Sequence, residues 1–274
     1  MQFTEADLVV VADILAEAAR REIMPRFRNL SADDVRCKSS PLDLVTEADV
    51  AAERMIAAAL RGTFPGAAIV GEEGCEAEPI LADAVATAEL AFIVDPIDGT
   101  RNFVAGLPLF GVMAAVTARG EVVGGVIHDP VVGDWAMALR GGGAWLRRED
   151  GAHRPLRVAD PVPPARMEGM IATTFLPEPL KTRVNTNLSH LAAAASYRSA
   201  AHEYRLAASG QCHVLLYNRL MPWDHAAGWL LHREAGGHSA HFDGSPYRPA
   251  HRTGGLLYAP DEASWRAVRA ALLD

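Results

Sequence analysis

Apolar and polar positions along the 274-residue chain change period several times, and each change marks an element. Near the N-terminus Leu8, Val11, Ile14 and Leu15 recur at helical spacing. With Thr4 or Asp7 as cap and Pro25 as stop, they predict a helix to about Arg21. The run AAERMIAAALRG predicts a second helix from about Ala48, closed by Gly62 with Pro65 just beyond. Residues 67–70 and 90–94 are short apolar runs, read as buried strands that end in GEEG and DPIDG. From 109 to 147 the chain breaks into short β-rich runs separated by Gly, Asp and Pro, the pattern of an antiparallel meander.

The second half opens after PVPPAR (161–166), the most linker-like stretch. A strand is predicted near 167–173, helices near 182–195 and 199–209, and a strand at 211–217. A helix at 224–235, a strand at 255–259 and a helix from 261 complete the chain. The alternation predicts layered helices and sheets in two closely packed halves, 1–150 and 151–274, forming one compact unit.

Composition narrows the function. Half of the residues are apolar (50%), enough for a substantial core, and the formal net charge of −8 is spread along the chain. Such a surface repels a phosphate backbone, so nucleic acid is not the expected partner. No apolar run reaches the roughly 20 residues of a membrane span, and the N-terminus lacks a basic leader or cleavage site. Cys37, Cys75 and Cys212 show no CxxC spacing. A reducing cytoplasm, with no structural disulfide, is the expected setting.

The chemistry lies in the carboxylates. Three segments end in acids: GEEG (Glu72, Glu73), DPIDG (Asp95, Asp98) and PWDHAAG (Asp224). A fourth, KSSPLDLVTEAD, carries Asp43, Thr46, Glu47 and Asp49. Each of the first three alone reads as a turn or a capped helix. Together they supply the hard oxygen donors that suit Mg²⁺. Pro96 stiffens the turn so that Asp95, Ile97 and Asp98 are expected to converge, and Gly99 permits close backbone approach to an anion. His202, His225 and His232 show no zinc spacing and are read as solvated or core histidines.

The order KSSPLDLVTEAD, VGEEG, IVDPIDGTRNF, PWDHAAG, EAGG resembles the inositol monophosphatase family of lithium-sensitive, Mg²⁺-dependent phosphomonoesterases, over roughly residues 5–272. The resemblance implies an α/β fold, a five-layer αβαβα sandwich of the inositol monophosphatase and sugar phosphatase type. It implies two or three Mg²⁺ ions. Glu72, Asp95 and the Ile97 carbonyl would hold the first, and Asp95, Asp98 and Asp224 the second. Glu72, Thr100 and Asp49 would be catalytic, with Thr100 orienting a water bonded to Asp49, and the Gly99 and Thr100 N–H groups would hold phosphate oxygens. Glu73 would support from behind, Lys38 would lie near the ions, and Asp43 and Thr46 would brace the loop. A homodimer acting on a small-molecule phosphate monoester, nominally inositol 1-phosphate, is the implied assembly and activity.

Departures from the family pattern concern the substrate. In YRSAAHEYRLAASG, His202 and Glu203 stand where small residues are usual. Either they reach the organic part of the substrate or they lie on a solvated helix face. Before Asp224, LLYNRLMPWD offers Asn218 and Arg219 and no acid, and Arg219 suits a second anionic group. Arg101 joins these as a candidate contact. Histidinol phosphate, fructose 1,6-bisphosphate and a nucleotide 3′-phosphate remain alternative substrates, and a non-catalytic metal-binding subunit is the alternative of a different class.

Overall fold

The computed structural model describes residues 3–38, 40 and 43–274, so Ser39, Pro41 and Leu42 of the KSSPLDLVTEAD segment lie outside it. Nine helices are described: α1 (Glu5–Ala18), α2 (Glu47–Thr63), α3 (Glu72–Ala77), α4 (Ala84–Thr87), α5 (Thr100–Val104), α6 (Leu180–Asn187), α7 (Ala200–Ala208), α8 (Pro222–Glu234) and α9 (Glu262–Leu273). Both N-terminal helices begin with capping boxes, Thr4 with Asp7 and Thr46 with Asp49, so the predicted starts are set by local side-chain chemistry.

A two-stranded ribbon pairs β1 (Val35–Cys37) with β2 (Leu44–Thr46). A seven-stranded sheet runs in sequence order through β3 (Ala68–Gly71), β4 (Ala91–Asp98), β5 (Gly111–Ala118), β6 (Glu121–Asp129), β7 (Asp134–Leu139), β8 (Gly143–Arg148) and β9 (His153–Pro155). From β4 onward it is the antiparallel meander that the turn residues predict, while β3 joins β4 in parallel. The second sheet contains β10 (Glu168–Ile171), β11 (Ala193–Ala195), β12 (Val214–Tyr217), β13 (His238–Ala240) and β14 (Leu256–Ala259), in the order β11-β10-β12-β14-β13.

Alternation along β4 explains the layering. Phe92 and Val94 face a core shared with α1 and α2, whereas Ile93 faces the opposite core with α7 and α8. The far side of α7 and α8 meets the second sheet, whose outer face is covered by α6 and α9 through Val184, Trp265 and Val268. The result is the expected αβαβα sandwich. As the middle layer, α8 is apolar around its circumference, with Ala226, Ala227, Leu230 and Leu231 all buried. Gly228 makes the α7–α8 contact possible: a Cβ there would lie 2.0 Å from the Tyr204 ring.

Two predicted elements differ. The helix expected over 182–195 ends at Asn187, and Ala193–Ala195 form an edge strand parallel to β10. Alanine favours a helix, but pairing with Glu168, Gly169 and Met170 outweighs that local preference. GEEG, expected as a turn, opens the short helix α3. Glu53 on α2 accepts the Glu73 and Gly74 N–H groups at 2.7 and 2.8 Å, satisfying donors that a helix start leaves free.

Candidate active site

The ends of β3 and β4 bring the first acids together. Gly71, the last residue of β3, pairs with Val94 in parallel register, so Glu72 at the start of α3 and Asp95 on β4 come next, side by side. In a regular strand Asp95 and Asp98 would point to opposite faces. Asp95 pairs with Met113 and Asp98 with Gly111, so β4 uses one more residue than β5 across Pro96-Ile97. That bulge turns both carboxylates into one cavity of about 200 Å³. The first turn of α8 adds Asp224, and Glu72, Ile97, Gly99, Thr100, Arg101, Glu203, Asn218 and Arg219 share the lining.

These acids are buried and treated differently. Asp95 is 2% exposed, and its Oδ1 has no hydrogen-bond partner among the described residues. Burial, then the charges of Glu72, Asp98 and Asp224, hold its carboxyl well above the usual range. Asp98 is also raised, by burial first, but it accepts three bonds. Ser199 Oγ donates to it at 2.5 Å and the Ala200 and Ala201 N–H groups at 3.1 and 2.9 Å, all at the start of α7. Asp224 is raised by burial and by Glu72 and Asp98. Glu72 is raised by burial, opposed by Lys38. The Lys38 Nζ lies 2.9 Å from Glu72, 2.6 Å from Glu73 and 3.2 Å from Glu76, and is raised in turn by the nearby acids against its own burial. Glu73 is pushed up to about 8 by burial and by Glu72.

Convergence is looser than the sequence suggests. Among the described residues, no three His, Cys, Asp or Glu side chains form a closed cage for an ion. Like charges repel, while Lys38 pairs with Glu72 and the start of α7 holds Asp98. The residues still fit Mg²⁺, because the acids offer oxygen donors and leave buried Asp95 Oδ1 without a partner among the described residues.

Thr100 and Asp49 stand beside the acids. Thr100 Oγ1 lies 2.8 Å from the Ile97 carbonyl and 3.2 Å from Asp49 Oδ1. Asp49 Oδ2 accepts the Thr46 N–H and hydroxyl at 2.8 and 2.5 Å, and burial pushes Asp49 up to about 7. Asp49 thus reaches the cavity through Thr100. Gly99 has φ +85°, and a Cβ there would meet the Leu109 carbonyl at 2.9 Å, so the turn before α5 requires glycine.

The proposed substrate contacts separate into groups. His202 turns away, its Nε2 donating to the Phe110 carbonyl at 3.1 Å, and lines another cavity with Asp129 and Arg205. Glu203 is 1% exposed and satisfied by Ser196 Oγ, the Tyr197 N–H and Tyr217 OH at 3.1, 2.7 and 2.7 Å. It underpins the wall and is pushed up to about 7 by burial. Asn218 Nδ2 donates to the Phe175 carbonyl at 2.7 Å. Arg219 faces the cavity, 3.4 Å from Asp43 and stacked on Phe175 with 5.4 Å to the ring centroid. His225 and His232 are core histidines held well below their usual value by burial. Ser199 and Glu53 escaped the sequence reading. Ser199 carried a signal, since a Ser before an apolar helix is a common cap; Glu53, mid-helix, carried none.

The model of the inositol monophosphatase family matches residues 4–273. The Nus factor SuhB of Pseudomonas aeruginosa is 34% identical over 244 residues, 85% of this chain and 86% of that protein. The inositol-1-monophosphatase of Bacillus subtilis is 32% identical over 221 residues, 78% of each. Among solved structures, the extragenic suppressor protein SuhB of Bartonella henselae matches with a TM-score of 0.83 and 26% identity over 98% of both chains. The chain belongs to the inositol monophosphatase family, a family of phosphatases.

Proposed function

We propose that the chain hydrolyses small-molecule phosphate monoesters, nominally inositol 1-phosphate, with Mg²⁺ held by Glu72, Asp95, the Ile97 carbonyl, Asp98 and Asp224. The observation that carries this reading is the buried carboxylate set around Asp95 Oδ1, which has no partner among the described residues, in one cavity with Gly99 and Thr100. Two or three Mg²⁺ ions, when bound, would lower the pKa of a water and offset charge on the phosphate oxygens. The chain's own groups do the rest. Thr100 and Asp49 hold the attacking water in line, and Glu72 takes its proton. The water oxygen forms the new P–O bond as the ester P–O bond breaks, and the leaving alkoxide is protonated by solvent. The backbone at Gly99 and Thr100 holds the phosphate oxygens. No covalent enzyme intermediate is needed, and Cys75 and Cys212, both pushed up to about 11 by burial, are inert thiols. The same reading expects lithium inhibition and a cytoplasmic homodimer.

The test is phosphate release by purified protein with Mg²⁺ from inositol, histidinol, sugar and nucleotide 3′-phosphates, with and without lithium. Release that depends on Mg²⁺ and falls with lithium is expected. No release from the whole panel would overturn the reading. A second reading, a partner-binding subunit without turnover, is favoured by the Nus factor name of the Pseudomonas aeruginosa relative. Absence of both release and Mg²⁺ binding by calorimetry would favour it.

A further inference from the structure

Three arginines stand around a cavity whose floor is acidic: Arg101, Arg198 and Arg219. The floor accounts for the reacting phosphate, so the cations at the mouth need another role. The acids on that side are already engaged. Glu203 is buried beneath three donors, and the Tyr217 hydroxyl is spent on Glu203. Asp43, also in the lining, lies 3.4 Å from Arg219 and offsets part of its charge, so three arginines against one paired acid leave this side of the cavity net positive.

Two of the arginines are fixed through their backbones. Arg198 has φ +56°, a left-handed conformation that a non-glycine residue keeps only when its neighbours hold it. They do: the Tyr197 N–H is bound by Glu203, and Ser199 Oγ is bound by Asp98. The Arg219 carbonyl accepts from His225 Nε2 at 2.8 Å, and its guanidinium lies over Phe175. The side-chain charge thus stands on a rigid frame, which lowers the ordering cost of gripping an anion.

We propose that the substrate's organic part carries a second anionic group, a carboxylate or a second phosphate, gripped by Arg198 and Arg219 with Arg101 adding to the field. This rests on the phosphatase reading and names its substrate class. Guanidinium forks suit both groups, so the shared chemistry is a planar or tetrahedral oxyanion.

Matched pairs test it. Purified protein with Mg²⁺ is assayed on glycerol 3-phosphate against 3-phosphoglycerate, and on fructose 1-phosphate against fructose 1,6-bisphosphate. Each pair shares an ester, the C3 or the C1 phosphate, and differs in the second anion, with turnover of the bisphosphate counted at C1 as fructose 6-phosphate formed; the two pairs distinguish carboxylate from phosphate. The doubly anionic member of at least one pair is expected to have kcat/KM about tenfold higher or more, carried mainly by KM. Raised salt is expected to shrink that ratio, and Arg198→Gln with Arg219→Gln to bring it near one. Ratios near one in both pairs, with brisk phosphate release, would overturn the second-anion site alone. A ratio that survives both substitutions would also overturn it. No release from the four while inositol 1-phosphate is hydrolysed would overturn the second-anion site alone; no release from the four or from inositol 1-phosphate would overturn the phosphatase reading itself.

Discussion

The floor and the facing wall of the cavity are built from buried polar groups, and they solve opposite problems. On the floor, Asp95, Asp224 and Glu72 face one another with Lys38 paired to Glu72, and Asp95 Oδ1 has no partner among the described residues. On the wall, Glu203 is as deeply buried as Asp95, and three donors from residues 196–217 engage both of its oxygens. Burial alone therefore does not distinguish a structural carboxylate from a functional one. Satisfaction does. Asp98 lies between the two cases, anchored to the wall through Ser199 and open to the floor through the cavity.

Substitutions on either side should separate these roles. Asp95→Asn keeps the shape and removes the charge, and is expected to lower kcat by about 10³-fold or more, as loss of a central charge-stabilising group does. A kcat within tenfold of the parent would remove the floor from the chemistry. Lys38→Met leaves Glu72 and Glu73 buried without their cation. A loss of about 3–5 kcal/mol is expected in urea unfolding, partly recovered by Mg²⁺. Unchanged stability would mean that the carboxyls simply protonate.

Legibility in the sequence followed the same division. The strand ends, the meander and the first helix cap were readable because local period and turn chemistry fix them, as at Thr4–Asp7 and Gly99. The acids were readable as a set because four segments repeat one chemistry. Long-range pairing was not. Nothing local says that Ala193–Ala195 joins β10, that Ser199 belongs to Asp98, or that Glu203 faces inward to Tyr217. His202 and Glu203, adjacent and ambiguous as letters, part because one helix position faces the Phe110 carbonyl and the next the 196–197 turn.

Smaller effects sharpen the boundary. Ser199→Ala removes a charged hydrogen bond of about 1.5–3 kcal/mol, and kcat/KM is expected to fall about 10- to 100-fold while the fold persists. A fall below twofold would show that Asp98 needs no anchor. Glu203→Gln acts on stability. The folded carboxyl, pushed up to about 7, keeps a proton that the unfolded chain releases from 4.5 upward. Its contribution to stability therefore falls as pH rises between those values. The parent should lose about 2 kcal/mol relative to Glu203→Gln between about pH 5 and 7. Parallel stability curves would contradict the assignment.

The central claim is that the floor is a cation site whose like charges are incompatible until an ion shares them. Thermal melting near neutral pH, with and without Mg²⁺, tests it on the parent and on Asp95→Asn. The parent is expected to gain about 3 kcal/mol when Mg²⁺ is about 100-fold above its dissociation constant. The ion-free Asp95→Asn protein should be at least as stable as the ion-free parent and should not respond to Mg²⁺. Equal gains in the two proteins, or no gain in either, would contradict the account.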